Sequence, residues 1–376
     1  MTGVRSRHQR TIHHLPASFD LRPFIRVGTP RGLTGRVVDR LREIDIHGHL
    51  KALALGSALL LVLAAGSASA SASSSKSNAV APVSSFAQLE AVLATSIKQT
   101  QLPADLVPSL EQLSNVQEVQ GSAYLHASCD PYVYNSEASD PAPCWYGSMT
   151  STKTVVIFGD SFVGNWIPAL DIAGKSMDFR VAEFSFPGCL TPFVTMTGSS
   201  PDFDASEVKA CNEFHQNLPR VVNALAPEAV IAANGTPSWG PAGNPSFVSN
   251  LGKAFDEMTT TTSHPIRILL GTGPHLLEPA PSCLATHPGN INLCNFHYGP
   301  SSAFAAALQR DSDTIAADQL HLIPTYPWLC LDGVCPAVIG HVDVYADADH
   351  MTIAMSKYLA VLLEQALAPL LSGPAS

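Results

Sequence analysis

The chain has 376 residues, of which 46% are hydrophobic and only 14% are charged. This composition excludes a disordered or fibrous protein, and the length allows one large domain with additional segments. The formal net charge is -10, yet the first 51 residues carry ten basic and four acidic residues, so the remainder holds 11 basic and 27 acidic residues. That acidic remainder would repel nucleic acid, and we expect no nucleic-acid partner.

The N-terminal part has the features of an export signal. Lys51 precedes an apolar run over 52–65, and small residues follow over 66–72. A signal peptide with a small-residue cleavage site is one interpretation, and an uncleaved signal anchor is the other, although a membrane span usually needs about 20 apolar residues. Residues 1–50 are either a cytoplasmic tail or the product of a start codon assigned too far upstream. Whether the signal is cleaved or kept as an anchor, we expect the later domain to lie outside the cytoplasm, either secreted or anchored to the membrane through 52–72.

Four regions are therefore predicted before the main domain. They are a basic region over 1–50 outside the fold, the signal or anchor over 51–72, a flexible serine- and alanine-rich linker over 73–85, and a helical lead-in over 86–125. The main domain is predicted over 126–372.

The eight cysteines all lie in the later part of the chain, and their even number favours disulfides in an exported protein. Short sequence separations make pairing between neighbours the simplest arrangement. The predicted pairs are Cys129 with Cys144, Cys189 with Cys211, Cys283 with Cys294, and Cys330 with Cys335. A zinc site is the alternative, but the sequence has no CxxC pair and no Cys/His cluster of ligand spacing. We expect no metal and no cofactor.

Strand-like and helical patterns alternate along the main domain. Continuous apolar runs predict strands over 154–158, 179–184, 229–233 and 266–270, and helical spacing is found after Ser161 and over 214–225, 247–258, 304–317 and 358–371. Strands that alternate with helices favour a parallel sheet covered on both faces. The predicted fold class is α/β, a three-layer sandwich with a mainly parallel central sheet, preceded by a short helical segment.

A serine follows the first predicted strand of this sheet. Ligands of open α/β sheets bind outside the carboxyl ends of the strands, and Ser161 lies there within Gly159, Asp160 and Ser161. Its hydroxyl is a candidate nucleophile, and backbone N–H groups at the start of the following helix are candidate oxyanion donors. The alternative is an ordinary strand-to-helix turn capped by Asp160 or Ser161.

An acid and a histidine precede the last predicted helix. Asp347 stands three residues before His350, a spacing that lets the carboxylate orient the imidazole while the other ring nitrogen faces a serine. The alternative is a helix cap at Asp349 with a surface histidine. Of the two acids we expect Asp347 to be the orienting partner, so that Asp347→Asn lowers turnover far more than Asp349→Asn.

These separated blocks resemble the SGNH (GDSL-like) hydrolase superfamily, and most closely the SGNH domains fused to or partnered with membrane acyltransferase-3 proteins. The resemblance runs from about Leu102 to Leu371 and includes 102–110, the cysteine placement, 155–161, 329–335 and 345–352. It implies a flavodoxin-like fold, with Ser161 as nucleophile, His350 as general base and Asp347 as its orienting partner. Phe162 stands where the fused domains commonly have histidine.

The resemblance also implies the rest of the site. The oxyanion hole would consist of the Ser161 backbone, Gly188 and Asn234, and a turn glycine and an Asx-turn are the alternatives for the last two. Trp239 is a candidate for stacking on a sugar ring, with a half-buried aromatic as the alternative. The printed sequence contains no ten-helix membrane acyltransferase, so an acyl donor would be another protein or a soluble ester.

The predicted function is that of an extracytoplasmic O-acyl esterase or O-acyltransferase acting on cell-envelope carbohydrate through an acyl-serine intermediate. The expected partners are a carbohydrate or other acyl-ester substrate, with a membrane acyltransferase as a candidate protein partner. Two alternatives stay open, a lipase or thioesterase of the same fold and a non-catalytic module that binds glycan or an acyltransferase.

Overall fold

The structure is a computed structural model that describes residues 81–113, 141–189, 193, 195–197, 204–235, 245–260, 264–318 and 320–372. The predictions for the basic region, the export signal, most of the linker, Cys129 and Trp239 therefore concern residues outside the described ones. None of the helices within the described part of the chain combines the length and the apolar character needed to cross a membrane.

The centre of the described fold is a six-stranded sheet. Its strands are Cys144–Gly147 (β1), Thr154–Gly159 (β2), Arg180–Ser185 (β3), Ala229–Ala233 (β4), Ile266–Leu270 (β5) and, after a two-residue strand Phe296–His297 (β6), His321–Ile323 (β7). The strand order is β1-β3-β2-β4-β5-β7. All neighbours are parallel except β1, which pairs antiparallel with β3 at one edge. The predicted α/β class with a mainly parallel sheet is confirmed.

Helices connect the strands and cover the sheet. They are Phe86–Ser96 (α1), Leu110–Leu113 (α2), Ile167–Met177 (α3), Ala205–Leu225 (α4), Pro245–Met258 (α5), Ala280–Thr286 (α6), Ala303–Asp318 (α7), Ile353–Tyr358 (α8) and Ala360–Leu371 (α9). Short 3₁₀ helices occupy Ser161–Asn165, Ile291–Cys294 and Tyr326–Trp328. Two-residue strands Val334–Cys335 (β8), Val338–Ile339 (β9) and Val342–Asp343 (β10) pair outside the main sheet.

Alternate side chains of the strands enter two separate cores. Ile157 of β2 packs in one core with Leu170 of α3 and Leu363 of α9. Phe158, the next residue of β2, packs in the other core with Phe214 of α4 and Phe255 of α5. Every residue of β2 is buried, which explains why its sequence is continuously apolar instead of alternating. The result is the predicted arrangement of three layers.

The structure differs from the predicted elements where local signals outweigh apolar periodicity. Helix α4 begins at Ala205, nine residues before the apolar pattern, because Asp204 and Glu207 form a reciprocal capping box at its start. Strands β1 and β7 were not predicted, since four and three residues are too short to show a period. The last predicted helix, 358–371, is found as α9 from Ala360 to Leu371, and the short helix α8 before it was not predicted.

Disulfides join several of the loops. The structure contains the pairs Cys189–Cys211, Cys283–Cys294 and Cys330–Cys335. Cys144 is also disulfide-bonded. Its predicted partner Cys129 lies outside the described residues, so that pair stays a prediction.

Candidate active site

The strand register places several loops side by side at one edge of the sheet. Gly159, the last residue of β2, pairs with Ser185 of β3 on one side and with Ala233 of β4 on the other. The chain leaves β2 between two strands that are reached by connections running in opposite directions. This is the switch point where open α/β sheets bind ligands. The loop carrying Ser161 therefore begins beside the loops that carry Gly188 and Asn234.

Asp160 ties the serine loop to the loop after β4. One of its carboxylate oxygens accepts a hydrogen bond from the Phe162 N–H (2.9 Å) and so caps the 3₁₀ helix that begins at Ser161. Both oxygens also lie within hydrogen-bond distance of the Gly235 N–H, at 3.0 and 3.2 Å. Burial raises the pKa of Asp160 to about 6, although the two N–H groups oppose the rise. The turn interpretation of Asp160 is thus correct in itself and compatible with a nucleophilic Ser161.

The histidine lies on a closed loop before α8. Tyr345 and Met351 pair across this loop, and the Ala346 N–H donates to the His350 carbonyl at 2.8 Å. The Met351 N–H donates to Asn165 Oδ1 at 2.9 Å, which joins the loop to the 3₁₀ helix of Ser161. Residues 186 positions apart are thereby held against each other.

Ser161, His350 and Asp347 form one hydrogen-bonded chain. His350 Nε2 lies 2.7 Å from Ser161 Oγ, and His350 Nδ1 lies 2.8 Å from Asp347 Oδ2. The other oxygen of Asp347 accepts from the backbone N–H groups of Asp349 (2.9 Å) and His350 (2.7 Å). Because a carboxylate only accepts hydrogen bonds, Nδ1 carries a proton and Nε2 can accept from the serine hydroxyl.

The charged forms of His350 and Asp347 stabilise each other. Burial lowers the pKa of His350, but hydrogen bonds to Asp347 and Asp349 and their negative charges outweigh it, so the pKa lies above the usual range of histidine. Burial would raise the pKa of Asp347, and the hydrogen bonds from His350 and from two backbone N–H groups outweigh this, so the pKa lies below its usual range. The arrangement therefore stabilises the imidazolium that forms when Nε2 takes up a proton.

A second carboxylate and a second histidine lie next to the hydrogen-bonded chain of Ser161, His350 and Asp347. Asp349 Oδ1 lies 3.1 Å from His350 Nδ1, and Asp349 Oδ2 lies 2.9 Å from His275 Nδ1. The sequence analysis missed His275, which is separated from Asp349 by 74 positions. Its position after β5 was the available signal, because the carboxyl end of that strand faces the same edge of the sheet.

The candidate oxyanion residues differ in how the structure presents them. Asn234 directly follows β4, is buried, and donates from Nδ2 to the Gly235 carbonyl at 3.2 Å. Gly188 lies in the exposed turn after β3 with a φ of 76°, a conformation that favours glycine. The neighbouring Cys189 is bonded to Cys211 of α4, which is the pair predicted from the sequence.

A small cleft opens beside the candidate catalytic and oxyanion residues. Phe162, Asn234, Asp349, Gly273 and Tyr345 are among the residues that line it. Within the described part of the chain, the Tyr345 hydroxyl and the Asn234 side-chain carbonyl are buried without a hydrogen-bond partner. A polar group bound in the cleft could pair with them.

Two groups of side chains have the spacing of metal ligands. Asp347, Asp349 and His350 each place one ligand atom within 4.8 Å of the others, and so do Cys189, Cys211 and His215. In the first group, the same short distances are those of the hydrogen bond between His350 Nδ1 and Asp347 and of the ion pair between His350 and Asp349. In the second group, the cysteines form a disulfide and offer no thiolate, which overturns the zinc alternative for this pair.

The family comparison matches residues 128–365 to a family described as "SGNH domain (fused to AT3 domains)". The chain belongs to this family. The resemblance drawn from the separated sequence blocks is thus confirmed, and Ser161, Asp347 and His350 all lie within the matched part of the SGNH domain.

Two solved structures align with the SGNH domain. The lipopolysaccharide acetyltransferase periplasmic domain of Salmonella ser. Paratyphi A has 15% identity, covers 62% of this chain and 95% of that chain, and has a TM-score of 0.45. Est24, a carbohydrate acetylesterase from Sinorhizobium meliloti, has 15% identity, covers 58% of this chain and 99% of that chain, and has a TM-score of 0.37. The comparison with curated proteins finds no match.

Proposed function

We propose that the chain is a serine-dependent O-acyl esterase or O-acyltransferase that acts outside the cytoplasm on cell-envelope carbohydrate. The observation that carries the proposal is the hydrogen-bonded chain from Ser161 through His350 to Asp347, with distances of 2.7 and 2.8 Å. Membership of a family whose domains are fused to acyltransferases supports acyl transfer as the chemistry. Disulfides in the described loops support an oxidising compartment.

The proposed reaction has two steps. Ser161 Oγ attacks the acyl carbonyl while its proton passes to His350 Nε2, and the C–O bond to the sugar breaks as the same proton passes to the leaving oxygen. Water or a second hydroxyl group then attacks the carbonyl carbon of the acyl-Ser161 ester and gives its proton to His350. The bond from this carbon to Ser161 Oγ breaks as His350 returns the proton to Oγ, and the free acid or the new ester leaves. Asp347 holds the imidazole and stabilises its charged form in both steps.

Three donors are proposed for the oxyanion that forms in each step. They are the backbone N–H groups of Ser161 and Gly188 and the side-chain amide of Asn234. The register that places Gly159 between Ser185 and Ala233 supports this assignment, because all three loops begin at the same edge of the sheet. Donors fixed before the reaction are worth about 3–4 kcal/mol each in a transition state.

The proposal is tested with a fluorophosphonate probe, which reacts covalently with activated serines. Wild-type protein is expected to be labelled, Ser161→Ala is expected to lose labelling, and Ser282→Ala, which removes an exposed hydroxyl on α6, is the matched control. Labelling that does not depend on Ser161, or no labelling at all, would contradict the enzyme and favour the non-catalytic module.

The substrate class is tested separately with purified protein. Acetylated xylan, acetylated peptidoglycan and short nitrophenyl esters are incubated with wild type and Ser161→Ala, and released acid is measured. Ser161-dependent release from a polysaccharide is the expected result. Release confined to long-chain lipid esters or to thioesters would replace the carbohydrate assignment with the lipase or thioesterase alternative.

A further inference from the structure

Asp349 and His275 lie beside the hydrogen-bonded chain of the candidate active site, and Asp349 contacts His350 as an ion pair and His275 through a hydrogen bond. Asp349 bridges two imidazoles, with Oδ1 at 3.1 Å from His350 Nδ1 and Oδ2 at 2.9 Å from His275 Nδ1. Its side chain is 23% exposed, whereas that of His275 is 51% exposed. The bridge therefore runs from the partly buried His350, whose side chain is 22% exposed, to the protein surface.

The backbone holds the two segments of this bridge together. The Leu276 N–H donates to the Ala348 carbonyl at 2.7 Å, and the Ala280 N–H donates to the Asp347 carbonyl at 3.1 Å. The segment that carries His275 is thus bonded on its C-terminal side to the loop that carries Asp349. The contact between the two side chains rests on a supported backbone and does not depend on a chance meeting of exposed groups.

From this geometry we infer that Asp349 is a positioning residue for the proposed reaction, held by His275 so that its carboxylate lies beside the Nδ1–H of His350 together with that of Asp347. The inference rests on the proposed function, since it concerns the base of that reaction. The orientation and the charge of the His350 imidazole would then depend on two carboxylates instead of one. Asp347 orients the ring, and Asp349 adds a second negative charge whose position depends on His275.

The pKa of His350 depends on the charged and titratable groups that surround its imidazole. Among the described residues these are Asp347 and Asp349 on its own loop, Ser161 and Asp160 from the serine loop, and His275 through Asp349. The Phe162 ring packs against the imidazole with centroids 5.2 Å apart and carries no charge. Since Asp349 favours the imidazolium, its removal lowers the pKa of His350 and makes the neutral base available at lower pH.

The first experiment follows the titration of the His350 imidazole by NMR in the Ser161→Ala background, where no activity is needed. Asp349→Asn is expected to move the His350 midpoint down by about 1 pH unit. His275→Ala is expected to move it in the same direction by less, because Asp349 is then free to turn into solvent. His275→Asn keeps an N–H donor near the position of Nδ1 and is expected to restore the wild-type midpoint.

A double-mutant cycle tests whether His275 affects His350 through Asp349. If His275 acts through Asp349, His275→Ala in the Asp349→Asn background produces no further shift of the His350 midpoint. Asp313→Asn and His297→Ala remove exposed groups remote from this contact network and are the controls. An unchanged midpoint in Asp349→Asn, or equal His275→Ala shifts in both backgrounds, would overturn the inference.

The second experiment measures kcat/KM against pH with an ester that the wild type hydrolyses. The low-pH limb of the profile is expected to move to lower pH in Asp349→Asn by the shift found by NMR. Asp347→Asn is expected to lose about 10³–10⁴-fold in turnover, because the ring loses its orienting partner. A comparable loss in Asp349→Asn at pH values above the limb would assign Asp349 the orienting role and contradict the inference.

Failure of the inference and failure of the proposed function give different results. If the fluorophosphonate probe does not label Ser161, the proposed function fails, and the inference fails with it. If Ser161 is labelled and Asp349→Asn leaves the His350 titration and the pH profile unchanged, only the inference fails. Thermal unfolding of each variant shows whether it is folded, and the two His275 variants test the bridge independently if Asp349→Asn does not fold.

Discussion

At the scale of single residues, the candidate site depends on where Asp160 places its neighbours. Its carboxylate bonds the N–H groups of Phe162 and Gly235, so the serine loop and the loop of Asn234 meet through one side chain. Because the two loops lie so close together, there is no room for a side chain at Gly235. A Cβ atom built there would lie 2.5 Å from the nearest atom of the Phe162 ring.

Gly235→Ala is therefore expected to lower kcat/KM for ester hydrolysis by about tenfold or more, because overpacking costs about 1–3 kcal/mol and either the ring or the loop must move. Hydrolysis rates of the purified variants provide the measurement. Adding Phe162→Leu to Gly235→Ala is expected to recover part of the loss. Gly289→Ala is the matched control, since a Cβ there meets nothing within 4 Å, and an equal effect of both glycine substitutions would refute the packing argument.

At the scale of elements, the disulfide Cys189–Cys211 connects the turn after β3 to α4. Cys189 directly follows Gly188, whose N–H is a proposed oxyanion donor. Within the same core, His215 Nε2 lies 3.2 Å from Cys189 Sγ, and its ring stacks on Phe193 with centroids 4.8 Å apart. The turn is thus held by a covalent bond and by packing against one face of α4.

Removing this bond by Cys189→Ala with Cys211→Ala is expected to reduce kcat/KM more than removing Cys283–Cys294 in the same way. Each removal costs about 2–5 kcal/mol of stability, but only the first frees the turn of Gly188. Activity is measured at a temperature at which circular dichroism shows both variants folded. Equal losses of activity in the two variants would mean that the Cys189 bond contributes to stability alone.

At the scale of the whole molecule, buried carboxyl groups make stability depend on pH in opposite directions. Burial raises the pKa of Asp311 to about 6 and raises that of Asp343 well above its usual value, while Asp347 is lowered by its partners. A carboxyl whose pKa is raised on folding keeps its proton in the folded state, so its contribution to stability falls as pH rises above the unfolded value. Asp347 contributes stability that is lost as pH falls.

Asp343→Asn isolates the first of these effects. Asp343 is fully buried, and within the described residues its Oδ2 atom has no hydrogen-bond partner, so an uncharged amide should be tolerated better than a carboxylate at neutral pH. The free energy of unfolding at pH 7 is expected to rise by at least about 1 kcal/mol, since each unit of pKa shift is worth about 1.4 kcal/mol. The gain should decrease as pH falls and vanish below about pH 3, where the aspartate side chain is protonated in the folded and unfolded states alike.

Denaturant unfolding at several pH values measures this difference. Asp313→Asn, which removes an exposed carboxylate, is the control and is expected to show no comparable pH-dependent gain. A gain in Asp343→Asn that persists unchanged at about pH 3 would assign the effect to packing instead of charge.

The sequence by itself determined the features that repeat or stand close together along the chain. Alternation of apolar runs and helical spacing predicted the parallel sheet, because strands buried on both faces need continuous apolar residues. The three-residue spacing of Asp347 and His350 singled out this pair, since both lie on one short loop. Short separations likewise predicted the pairs Cys189–Cys211, Cys283–Cys294 and Cys330–Cys335.

Only the tertiary structure decided contacts between residues far apart in the chain. Ser161 meets His350 across 189 positions, and His275 meets Asp349 across 74. Neither contact leaves a period or a spacing in the sequence, because it arises from the register of β2, β4 and β5 and from the backbone bonds between their loops. The short edge strands and the lack of room for a Cβ atom at Gly235 also could not be predicted from the sequence, since packing against distant neighbours determines them.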